Sequence, residues 1–143
     1  MTGLPLTLQL ANRKVVVVGG GNVATRRAFT FVEAGARVEV ISPQVSQSLA
    51  SAIGRGQISW SERGYQSGEL SGAWLGQTAT GVAEIDDQVF ADADANQIFC
   101  LKGGDPQQAT AWAPAVAQVG DVPHAIRGGG DAKRASALRN EVA

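Results

Sequence analysis

The stretch Lys14–Arg27, KVVVVGGGNVATRR, runs four consecutive valines into three glycines and then into a segment with helical spacing. β-Branched residues are stiff and favour strands. Gly19-Gly20-Gly21-Asn22-Val23-Ala24 then reads G-x-G-x-x-A, directly after the strand and directly before the helix. In that setting Gly19 makes the tight turn, Gly21 lets a pyrophosphate approach the main chain, and Ala24 lets the helix pack close to the strand. The free N–H groups of Asn22 and Val23, at the positive end of the helix dipole, favour a phosphate. The blander alternative is a glycine turn that serves only the fold.

The rest of the chain alternates in the same way. Strands are expected at Lys14–Val18, Arg37–Ser42, Gln57–Trp60, Ala73–Thr78 and Gln97–Leu101, where Val, Ile, Trp and Phe recur. Helices are expected at Asn22–Glu33, Gln44–Ile53 and Val82–Ala95. Val23, Ala28 or Phe29, and Val32 give the first helix an apolar face, and Gly35 stands where a left-handed cap is wanted. Such alternation indicates βαβ units and a parallel sheet. The expected fold is a Rossmann-like α/β domain with strand order 3-2-1-4-5. After the loop KGGDPQQ, two further extended runs, Thr110–Ala117 and Val122–Arg127, are expected to extend that sheet. Asp131 then caps a last helix that reaches Ala143 without a C-terminal cap, as the front part of a longer protein would.

Composition narrows the function classes. The 143 residues fit one domain. Twelve Lys and Arg against 13 Asp and Glu leave a net charge of -1, which argues against a nucleic-acid partner. No apolar run approaches the roughly 18 residues of a membrane span. The opening MTGLPLTLQLANR lacks the basic start of a signal peptide, so a cytoplasmic location is expected. The single cysteine, Cys100, lies in the apolar run Ile98–Leu101 and reads as a buried core thiol. No Cys/His cluster in the sequence suggests a resident metal. Nicotinamide enzymes often place an acid at the end of the second strand to hold the ribose. Here that place holds Ser42, Pro43 and Gln44, and Glu39 lies mid-strand, so NAD and NADP are not separated.

The opening LPLTLQLANRKVVVVGGGNVATRRAFTFVEAGARVEVISPQ resembles the precorrin-2 dehydrogenase domain of siroheme synthases. The similarity continues through QISWSERGYQSGELSGAWLGQTAT, IFC, WAPAV and HAIRGGGDAKRASALRNEV, so it covers nearly the whole chain. It implies NAD-dependent oxidation of precorrin-2 to sirohydrochlorin, with insertion of ferrous iron as a possible second activity. It also implies a homodimer, with residues 1–130 as the dinucleotide-binding domain and 131–143 as the start of a helical dimerisation arm. Carried over by position, Gly19, Gly21, Asn22, Val23 and Ala24 form the pyrophosphate turn. Pro43 and Gln44 would flank the adenosine ribose, and Ala79 and Thr80 would sit beside the nicotinamide half.

Departures from the family pattern are informative. The family's Asn-x-x-Asp after the fifth strand is Leu101-Lys102-Gly103-Gly104 here, so the expected aspartate falls on Gly104. Asp105 is next door. It either supplies the catalytic carboxylate through a one-residue shift of the loop or is a solvated turn residue before Pro106. The usual acid after Ala-Thr is Gly81, the usual asparagine further on is Asp86, and the serine of the later Ser-Gly-Gly turn is Gly128. His124 reads as a surface or packing residue, with acid/base or metal work as the alternative. Trp60, Trp74 and Trp112 read as core or interface. Lys102 and Arg127 lie where the carboxylates of a tetrapyrrole would dock.

Overall fold

The computed structural model describes residues 3–103, 106–113, 115–119 and 122–126. Five parallel strands form one sheet: β1 Lys14–Val18, β2 Arg37–Ile41, β3 Ile58–Ser61, β4 Leu75–Thr78 and β5 Phe99–Lys102. Their order is β3-β2-β1-β4-β5, as the sequence predicts. In register, Val17 stands between Val40 and Gln77. The valines of β1 are buried because helices cover both faces. Val15 and Val17 pack with Leu49 and Ala52 of α2 (Gln47–Gly54) and with Ala24, Ala28 and Phe31 of α1 (Asn22–Glu33). On the opposite face Val16 and Val18 pack with Val89 and Ala93 of α3 (Ala83–Ala95) and with Cys100.

The buried stripe of α1 is therefore Ala24, Ala28 and Phe31, and Val23 is exposed. Two alanines on the stripe bring this helix close to the sheet, and Phe29 and Val32 of the expected face pack at its margin.

The three α-helices among the described residues end by one device. Gly35 (φ 83°), Gly56 (φ 76°) and Gln97 (φ 60°) take the left-handed conformation. The N–H groups of Ala36, Gln57 and Ile98 then return to the carbonyls of Phe31, Ala52 and Ala93. This corrects two strand starts. Gln57 and Gln97 belong to helix caps, so β3 begins at Ile58 and β5 at Phe99. The second helix begins at Gln47 rather than Gln44, because the Ser46 hydroxyl caps it by accepting from the Leu49 N–H at 3.2 Å.

The later strands, β6 (Ala115–Val119) and β7 (Val122–Ile126), pair antiparallel with each other, with His124 opposite Ala117. They form a separate two-stranded sheet and do not extend the first. Two strands joined by so short a link can only be antiparallel neighbours, whereas joining a parallel edge needs a long crossover. The expected helix after Asp131 lies outside the described residues, as do Gly104, Asp105, Arg127 and Gly128.

Candidate functional site

The three glycines after β1 have three different surroundings. Gly19 is buried, has φ 129°, and is fixed by its N–H to the Ile41 carbonyl at 3.0 Å. A Cβ there would overlap the Ala79 carbonyl oxygen at the end of β4. Gly20 is also buried, and its Cβ would overlap the Gln44 carbonyl on the β2 side. The turn is thus wedged between the loops that follow β2 and β4, at the point where the strand order reverses. Open α/β sheets bind ligands in that crevice, outside the carboxyl ends of the strands.

Gly21 differs. It is exposed, its φ of -84° suits any residue, and a Cβ there would meet nothing within 4 Å. It is the N-cap of α1, yet no side chain caps that helix and no acid occupies its first turn. The first N–H groups of a helix have no partner within it. Asn22 and Val23 are exposed on the same rim. Neither packing nor backbone conformation asks for glycine at Gly21, and the open space above it has the character of an anion cradle.

The expected site residues gather around this turn. Pro43 and Gln44 lie exposed beside Gly20, with the Ser42 hydroxyl donating to the Gln44 carbonyl at 2.6 Å. The Ser46 N–H reaches the Gly20 carbonyl at 2.8 Å, and Ser46 Oγ lies 2.6 Å from Thr25 Oγ1. Ala79 lies on the other flank, its N–H bonded to the Val18 carbonyl at 2.8 Å, with Thr80 next to it. Ala24 is fully buried beneath the turn.

One residue with a large part in the site has no expected role in the sequence reading. The side chain of Asp86, in the first turn of α3, is buried beneath the Ala79–Thr80 loop. Its Oδ1 accepts from the Thr78 hydroxyl, from the Thr80 N–H at 3.1 Å and from the Thr80 hydroxyl at 2.7 Å. A carboxylate in the first turn of a helix, eight residues after a threonine that ends a strand, is the signal that would have pointed to it.

Other side chains fall elsewhere than the sequence suggests. Lys102 already has partners within the protein. Its ammonium is almost wholly covered, pairs with Asp87 and donates to Gln108 Oε1 at 2.6 Å. Trp74 is exposed just before β4, with the Arg13 guanidinium 4.1 Å above its ring, and Trp112 is exposed outside any strand. Trp60 alone of the three lies in a strand, donating to the Ser42 carbonyl at 2.9 Å. Glu39 pairs with Lys14 at 3.6 Å, away from the ribose position.

Cys100 is fully buried, and burial first, then the charge of Asp86, raises its thiol to about 11. Thiolate is the reactive form. A thiol reagent at pH 8 is therefore expected to leave the native protein unlabelled and to label it rapidly in denaturant. Fast native labelling, followed by absorbance, would contradict the buried assignment. Among the described residues no group of three or more His, Cys, Asp or Glu side chains could hold a metal. Nor is any of their helices long and apolar enough to cross a membrane.

Comparison with known proteins agrees with this geometry. Residues 6–115 match the family described as "Putative NAD(P)-binding". A siroheme synthase of Aeromonas salmonicida is 33% identical over 141 residues, covering 99% of this chain and 30% of the relative. A siroheme synthase of Pseudomonas putida is 36% identical over 132 residues, covering 92% of this chain and 28% of the relative. The chain thus spans under a third of the length of these relatives. A solved structure titled "SirC, precorrin-2 dehydrogenase" superposes with a TM-score of 0.86 at 23% identity, covering 98% of this chain and 69% of that one. That superposition bears out the Rossmann-like fold.

Proposed function

This chain belongs to the NAD(P)-binding family matched over residues 6–115, and from that premise we propose that it uses NAD to oxidise precorrin-2 to sirohydrochlorin. The observation that carries the cofactor half of this reading is Gly21, an exposed N-cap glycine that the fold itself does not need. The pyrophosphate would lie over Gly19 and Gly21 and accept from the N–H groups of Asn22 and Val23, with Ala24 keeping the helix close. Pro43 and Gln44 would flank the adenosine ribose. Ala79 and Thr80 would flank the nicotinamide, with Asp86 holding their loop. The bound NAD supplies the hydride acceptor; the protein supplies orientation and a base for the proton.

The substrate half rests on the siroheme synthase relatives and on the sequence resemblance. Asp105 is proposed as the carboxylate that takes the proton. Insertion of ferrous iron as a substrate is a proposed second activity. A homodimer assembled through residues 131–143, beside a dinucleotide-binding domain over residues 1–130, and a cytoplasmic location complete the proposal. Because this chain covers 30% of the Aeromonas relative, it would act as the N-terminal part of a multifunctional siroheme synthase.

The second reading, a dinucleotide-binding domain without catalysis, is favoured by Leu101-Lys102-Gly103-Gly104, where the family's aspartate is missing. An anaerobic assay with precorrin-2 and NAD, followed by sirohydrochlorin absorbance, separates the two. Turnover is expected in the wild-type protein. Asp105→Ala is expected to abolish it and to keep NAD affinity within a few-fold, since the pyrophosphate turn lies elsewhere in the chain. Equal turnover in both proteins would make Asp105 a turn residue. No turnover in either would favour the non-catalytic reading.

A further inference from the structure

We propose that the buried carboxylate of Asp86 makes this site prefer the oxidised dinucleotide, NAD+, over NADH. The inference rests on the reading that places the nicotinamide half beside Ala79 and Thr80.

Asp86 Oδ1 takes three donors from the end of β4 and the loop after it: the Thr78 hydroxyl, the Thr80 N–H and the Thr80 hydroxyl. An amide oxygen accepts the same bonds, so the loop needs an acceptor here but no charge. The charge itself is favoured by the positive N-terminal end of α3, whose first turn holds Asp86. It is not spent on an ion pair among the described residues. Lys102, at the end of the neighbouring strand, is bound to Asp87 and Gln108.

The nicotinamide ring is a cation when oxidised and neutral when reduced. A buried anion beneath the loop that would flank the ring would stabilise the cation and leave the neutral form almost unaffected. The site then loads oxidised cofactor and releases it more readily once reduced, which suits an enzyme that consumes NAD+ as oxidant. The bound couple is shifted to lower potential, by about 30 mV for each tenfold in the affinity ratio of a two-electron couple.

The test is calorimetric titration of wild type and Asp86→Asn with NAD+, NADH and ADP-ribose. The variant is expected to lose about tenfold, ~1.4 kcal/mol, in NAD+ affinity relative to NADH. ADP-ribose, which lacks the nicotinamide, is expected to bind both proteins within about twofold. An unchanged NAD+/NADH ratio in the folded variant overturns the proposal and leaves the assignment of the site standing. If wild type binds none of the three probes, the assignment fails and the proposal fails with it. Asp86→Ser, smaller and also neutral, carries the same comparison if Asp86→Asn does not fold.

Discussion

Gly21→Asp is expected to abolish dinucleotide binding, weakening it at least about hundredfold, while the protein stays folded and as stable as before. A charge pair about 4 Å apart is worth about 4 kcal/mol at an effective dielectric of 20, and here the pair is repulsive. That is more than the ~2.7 kcal/mol a hundredfold loss requires. Stability should not suffer, because the φ of -84° suits aspartate and a Cβ meets nothing within 4 Å. Aspartate is also a favoured N-cap beside a positive helix end, so a gain of a few tenths of a kcal/mol is expected. Calorimetry with NAD and a thermal melt of the same sample give both readings. A folded Gly21→Asp protein with undiminished affinity would remove the pyrophosphate from this turn.

Gly19→Ala, two residues earlier, should do the reverse and damage the fold itself. Its φ of 129° strains any residue with a Cβ, and that Cβ would overlap the backbone of Ala79. Backbone strain costs about 1–3 kcal/mol and overpacking a similar amount, so a loss of about 3 kcal/mol or more is expected. For a domain of this size that is a fall in Tm of roughly 10 °C. Gly21→Ala is the control, with less than about 1 kcal/mol expected because its neighbourhood is open. Urea melts of the pair measure the difference, and similar midpoints would show that the turn yields where the structure has it rigid.

Much of this was legible in the chain. The run Lys14–Val18 predicted a strand, and α1 spans Asn22–Glu33 as its sequence predicts. The parallel sheet followed from the alternation of short apolar and longer amphipathic segments, and its order from the Rossmann-like reading of the glycine turn. Boundaries set by side-chain or left-handed caps were less legible. Gln97 is the plainest case, since nothing in its type announces a positive φ. The separate pairing of β6 with β7 was missed because extended runs advertise strands and not their partners.

The sequence by itself determined the periodicity, the chain order of elements and the glycine turn, because these depend on residues close together along the chain. Tertiary structure alone decided which glycine the fold needs and which it leaves open. That distinction depends on the Ala79 and Gln44 carbonyls, brought to Gly19 and Gly20 from distant strands. It alone paired Lys102 with Asp87 of α3. And it alone buried Asp86 under Thr78 and Thr80, because a partner for a desolvated carboxylate is found through packing across the sheet and not through local propensity.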